Sequence, residues 1–276
     1  MTGKQAVSEF FKDDKQYEKY ENAIRRDSKR YKTAVTRSLE SALSGLMLDA
    51  DGTVRPTSMN RELLAGVASR MEIIYEDAGL ESMVGELFDT FEERLDTMNN
   101  LMKRLDLDEG VIRDFRSLPE IDKHIRSVAE RVGDAMPEVS RAVETKIVEF
   151  RNDLSAGSKV KFEALTNTLV SRAGVLPEYS RTIANTELGA IDSIGRDMQA
   201  DRAGITDLRY SGVLDELARP FCDKWLGEVR SREYWKALQN DTGPQPCLVY
   251  RGGYNCRHRL MPWREEWENP APEFQG

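Results

Sequence analysis

Sulfur and imidazole are scarce in this sequence, with 3 cysteines and 2 histidines in 276 residues. An odd number of cysteines argues against the disulfide framework of a small secreted domain. Two histidines leave little for histidine-dependent catalysis, and the chain has no Walker loop, dinucleotide fingerprint or G-x-S-x-G elbow. No apolar run is long enough to span a bilayer, and Met1 to Phe11 holds no apolar signal segment. The expectation is a soluble protein made in the cytosol, with no membrane partner. A basic surplus is also missing: the formal net charge is -8. Binding driven by phosphate neutralisation normally needs such a surplus, so dedicated DNA binding is disfavoured.

What is present is charge of both signs. Charged residues make up 32% against 39% hydrophobic, a balance that suits long solvated helices over a real core rather than disorder. The acidic excess is local. Residues 51–100 hold 4 basic and 11 acidic side chains, a net of -7, whereas residues 1–50 hold 10 and 8. Most of it falls beside Glu86, Glu92, Glu93 and Asp96, where a solvated helix face is the plain reading and a docking face for a basic partner the sharper one.

Residues 10–46 carry a helical stripe of Tyr17, Tyr20, Ile24, Tyr31, Val35, Leu39, Leu43 and Leu46. Asp51-Gly52 between short apolar pieces predicts a hairpin near 47–55. A calcium loop there is rejected, because Gly52 stands at its fourth position rather than its sixth and Asn60 stands where a bidentate Glu is needed. Val84, Phe88, Phe91, Leu95, Met98, Met102 and Leu105 alternate spacings of four and three, an a/d seam that predicts a partner-binding face. Ile121, Ile125, Val128, Val132, Ala135 and Val139 repeat the pattern, with Pro137 as an expected bend. Two such helices joined by a short link predict an antiparallel hairpin. The fold expected is therefore α+β, mostly α. A helical arm would cover residues 1–155, and a small C-terminal module of helices and short β-strands with a polar tail would cover 156–276.

All three cysteines fall in that second part. Cys222, Cys247, Cys256 and His258 could supply thiolate and imidazole ligands to zinc, although no Cys-x-x-Cys knuckle is present. Buried free cysteines, or a Cys222–Cys256 disulfide formed after release from the cytosol, are the alternatives. A cysteine nucleophile would need a base and an orienting third group, and the spacing offers no such group, so the chain is expected not to be an enzyme. Asp215 and Arg219, four apart, read as a helical i,i+4 pair. Thr186 and Glu187 would brace the loop after their helix, and Gly252-Gly253 permits a tight reversal before the Cys/His segment.

Four segments in order resemble the phage head morphogenesis module, the minor capsid family similar to phage Mu protein F. They are Arg181…Thr186-Glu187, Tyr210-Ser211-Gly212-Val213-Leu214-Asp215, Arg219-Pro220-Phe221-Cys222 with Gly227 soon after, and Gly252-Gly253-Tyr254-Asn255-Cys256-Arg257-His258. The likeness covers about residues 170–263. The sequence departs from the family pattern at Ala218, where Thr is common, and in ending on His258 instead of a second Cys. The resemblance implies a low-copy virion protein, made in the host cytoplasm and bound to the portal protein. Major capsid protein, scaffold, packaged DNA and further copies of the chain are its implied neighbours. Head assembly and DNA packaging or ejection are the implied work.

Overall fold

In a computed structural model, the structure describes residues 3–104 and 118–265. The chain is mostly helical. Among the described residues seven helices come first: α1 (Gly3–Leu43), α2 (Ser58–Ala68), α3 (Met71–Asp77), α4 (Leu80–Arg104), α5 (Pro119–Ser155), α6 (Phe162–Ala173) and α7 (Val175–Arg202). The C-terminal part follows as β1 (Asp207–Ser211), α8 (Pro220–Trp225), β2 (Val229–Ser231), α9 (Arg232–Ala237), α10 (Cys247–Tyr250) and β3 (Arg259–Trp263). Mostly α with short C-terminal strands is the expected class. No described helix is long and apolar enough to cross a membrane.

The chain divides into two compact units, and neither is one continuous stretch. The first comprises Met1–Asn22, Asp89–Val128 and Thr182–Gly276; the second comprises Ala23–Phe88 and Ala129–Arg181. The expected boundary between 155 and 156 falls inside the second unit. Long helices are the reason, since α1, α4, α5 and α7 each give residues to both units.

In the second unit the stripe of α1 is covered: Ile24, Val35, Leu39 and Leu43 are all buried. The Asp51-Gly52 turn forms as the sequence predicts. Leu48 and Val54 make an antiparallel bridge, and Gly52 takes φ +76°, which a side chain would oppose. Lys161 binds the Asp51 carboxylate at 2.7 Å, and Thr53 bridges Lys161 along the backbone. Asn60 is fully buried yet satisfied: it accepts from Met47 N and donates to Met47 O and Arg55 O at 2.8–2.9 Å.

The seam of α4 needs correction. Phe91, Leu95 and Met98 are buried as predicted, but they are buried within this chain and offer no free seam to a partner. Toward the N-terminus Met83 and Leu87 are the buried residues, while Val84 and Phe88 are only partly covered. A globular helix covers a face wider than an a/d seam, so the strict heptad reading picked its flank. The side chain of Met102 and the whole of Leu105 lie outside the described residues, as does most of the expected link between α4 and α5. Pro137 sits inside α5 on its exposed face, and the helix continues through it.

In the first unit the three strands form an antiparallel sheet of order β2-β1-β3. Leu208 pairs with Arg230 on one side and Pro262 on the other. Alternation puts Leu208, Tyr210 and Leu260 on the covered face, where they join Phe221, Trp225, Trp235, Leu248 and all three cysteines in one core. Trp235 is wholly buried and donates its Nε1–H to Leu208 O at 3.0 Å.

Candidate metal centre

Cys222 comes from α8, whose first position is Pro220, a residue that fits the opening turn because its missing N–H has no helical partner. Cys256 and His258 come from the loop leading into β3. This loop is irregular rather than a strand, yet Cys256 and His258 still converge with Cys222. The Cys222 and Cys256 sulfurs are 3.9 Å apart, and Cys256 Sγ is 3.9 Å from His258 Nδ1. Ligand atoms of the three residues all lie within 4.8 Å of one another, and each residue is more than nine-tenths buried. With Zn–S near 2.3 Å, two ligand atoms of a tetrahedron stand about 3.8 Å apart. Those two separations match that edge.

Cys247 does not join them. It opens α10, is completely buried in the hydrophobic core, and burial pushes its thiol up to about 12. It behaves as a small apolar residue, so the four-ligand set reduces to three. Among the described residues all three cysteines are free thiols.

The surroundings are shaped for the two sulfurs. A Cβ on Gly252 would stand 2.6 Å from Cys222 Sγ and 3.2 Å from Cys256 Sγ, so only glycine lets them approach. The Gly252 N–H points at Cys256 Sγ at 3.3 Å. The Tyr210 hydroxyl lies 3.4 Å from Cys222 Sγ and 3.6 Å from Cys256 Sγ. Tyr210 is stacked between His258 and Trp235, with ring centroids at 5.3 and 5.7 Å. His258 Nε2 is buried and has no hydrogen-bond partner among the described residues.

Electrostatics separate the two thiols. The hydrogen bond with Cys222, joined by those from His258 and Tyr210 and by the charge of Arg251, outweighs burial and holds Cys256 well below the usual thiol range. The same contact, together with burial, drives Cys222 upward. Arg251 itself is buried; its NH1 donates to Gly189 O at 2.7 Å and to Ser193 Oγ, while Nε and NH2 have no partner among the described residues. A cation in that setting favours a thiolate nearby.

The motif residues mostly clamp this loop. Thr186 Oγ1 accepts from Asn255 N at 2.9 Å, and Asn185 donates to the Asn255 side chain. Thr186 therefore braces the Cys/His loop rather than the segment after its own helix. Asp215 and Arg219 do not pair with each other. Asp215 takes both arms of Arg257 at 2.6 and 2.7 Å, whereas Arg219 donates to the carbonyls of Gly252 and Tyr254. Pro220 disfavours a helix at Arg219, which is extended at φ -84°, ψ 153°. Gly253 makes the reversal at φ +91°, packed on Thr242 O where a Cβ would collide. Gly227, at φ +83°, turns the chain from α8 into β2, its N–H donating to Tyr210 O at 2.8 Å.

Two motif residues stand apart from the sulfurs. Glu187 Oε2 and His124 Nδ1 are hydrogen-bonded at 2.6 Å, both residues buried. Arg181 belongs to the other unit and pairs with Glu178 at 2.9 Å. Sequence reasoning missed Tyr210 and Arg251 as site residues, although inward alternation along β1 points to Tyr210. It also missed Asp192, buried with Arg94 and Arg196. Burial alone would raise that carboxyl, but Arg196, Arg94 and Arg259 outweigh it and hold it well below the usual range.

No family model, curated protein or solved structure matches the chain.

Proposed function

We propose that the C-terminal part of this chain is a zinc-stabilised structural module, with Cys222, Cys256 and His258 as its ligands. The convergence of those three side chains within 4.8 Å, with two of the separations matching a tetrahedral edge, carries the reading. The Gly252 amide and Tyr210 hydroxyl would act as outer partners that orient the sulfurs. Burial of all three ligands keeps the metal from substrate and speaks for a structural role, with the fourth tetrahedral position, which three protein ligands leave unfilled, taken by water.

The setting we propose for the module is assembly. Its ordered segments resemble the phage head morphogenesis family, so the chain acts as a minor head protein near the portal, without turnover. Zinc content and stability test the first step. Purified protein is expected to hold about one zinc per chain and to melt at lower temperature after chelation. Metal-free protein with an unchanged melt removes the reading. Co-purification with a portal protein from the same genome tests the second; absence from assembled heads would sink that setting.

A second reading keeps the metal and changes the partner: a zinc-stabilised nucleic-acid binder. The Cys/Cys/His cluster favours it, and the net charge of -8 works against it. Duplex DNA affinity that falls steeply with salt would decide for it.

A further inference from the structure

The two sulfurs that would share a zinc ion are also placed to react with each other. We infer that Cys222 and Cys256 form an oxidation site, closing to a disulfide with a peroxide-class oxidant when the metal is absent. The inference rests on the metal reading in one respect, that bound zinc holds both sulfurs and shields them.

Geometry carries it. The sulfurs lie 3.9 Å apart on segments separated by 34 residues, with no side-chain atom of residue 252 between or beside them. A disulfide needs about 2.05 Å, a shift that cysteine rotamers and an irregular loop can supply. Cys247, the remaining thiol, stands outside the group of converging ligand atoms.

The chemistry balances in two steps. One thiol attacks peroxide, the O–O bond breaks, one oxygen stays on sulfur as a sulfenic acid, and the other leaves as water with the thiol proton. The second thiol then attacks the sulfenic sulfur, the S–O bond breaks, and a second water leaves. Two electrons pass from the cysteine pair to one peroxide. A chain made in a reducing cytosol and later exposed to oxidants would thus exchange a metal clasp for a covalent one.

The test uses the full chain with zinc loaded or stripped, each treated with hydrogen peroxide and digested without reductant. Mass spectrometry reads the Cys222–Cys256 linked peptide. The stripped protein is expected to give that peptide as its main product. Zinc loading should slow its formation about tenfold or more, because metal-bound sulfur is a poorer target. Cys247→Ser should leave the product unchanged. Where stripping unfolds the module, Cys222→Ser protein treated as purified should instead trap a dimedone adduct on Cys256. Sulfinic acid without the linked peptide, or linkage through Cys247, overturns the inference. Equal rates with and without zinc would keep the oxidation site and remove the metal reading.

Discussion

Arg257 forks onto Asp215 with both arms, at 2.6 and 2.7 Å, and so ties the loop after β1 to the residue between Cys256 and His258. The two ligands are therefore held from outside the core as well as from within it. The guanidinium's hydrogen bonds bring the Asp215 carboxyl down to about 2. A carboxyl depressed on folding stabilises the fold above its unfolded value of about 3.9, and that contribution is lost as pH falls toward about 2. Asp215→Asn should lower stability modestly at neutral pH, since exposed pairs contribute little, and should converge with the parent as pH falls toward about 2, which flattens the acid limb. Urea melts between neutral pH and pH 2 read it; parallel acid limbs for both proteins would contradict the assignment.

Gly252 and Gly66 are a matched pair for substitution by alanine. At Gly252 the new methyl would stand 2.6 Å from Cys222 Sγ, whereas at Gly66, inside α2, nothing lies within 4 Å. Gly252→Ala should cost about 1–3 kcal/mol by overpacking and weaken zinc binding about tenfold or more by spreading the sulfurs. Gly66→Ala should stabilise by about 0.5–1 kcal/mol through helix propensity. Denaturant melts and competition with a zinc indicator measure both. Equal zinc affinity in Gly252→Ala and the parent would show that the sulfurs are not a shared site.

Local signals in the sequence were readable where one element decides the outcome. The α1 stripe follows the 3.6 period and is buried from Tyr17 to Leu46, and Asp51-Gly52 specifies its own turn. The cysteines and His258 were recognisable as metal-ligand types, but spacing carries no direction, so Cys247 could not be separated from Cys222 and Cys256. Asp215 and Arg219 misled because a helical spacing was read across a segment that Pro220 keeps extended. The Asp192–Arg94 pair, 98 residues apart, leaves no local trace. Its polar residues sit where a helix pattern reads only a solvated face.

Asn60 shows how a buried amide can hold a turn. Its side chain closes on Met47 and Arg55 with three hydrogen bonds, while its own N–H is capped by Thr57 Oγ1. Asn60→Ala would strand the Met47 N–H, while the carbonyls of Met47 and Arg55 keep Arg55 N and Thr57 N as donors, at about 1–3 kcal/mol for an unsatisfied buried group. Thr57→Ala should cost about 1 kcal/mol as a lost N-cap. Thermal melts rank the two. A smaller loss for Asn60→Ala than for Thr57→Ala would mean that water satisfies the turn.

Asp192 is the carboxylate shared by Arg94 and Arg196, and all three side chains are buried almost completely. Its depressed proton affinity has the same sign as that of Asp215, but here no solvent screens the charges. Asp192→Asn keeps the shape and removes the charge, so two guanidinium groups lose the anion they converge on. The expected loss is about 3–5 kcal/mol, the scale for breaking one side of a buried pair. Replacing Arg94 by Met in the same background should recover part of that loss, because it removes one of the two buried cations that Asp192 neutralises. A double-mutant cycle in urea measures the coupling. Additive effects of the two substitutions would show that the carboxylate and Arg94 do not stabilise each other, and the buried network would then owe its stability to packing alone.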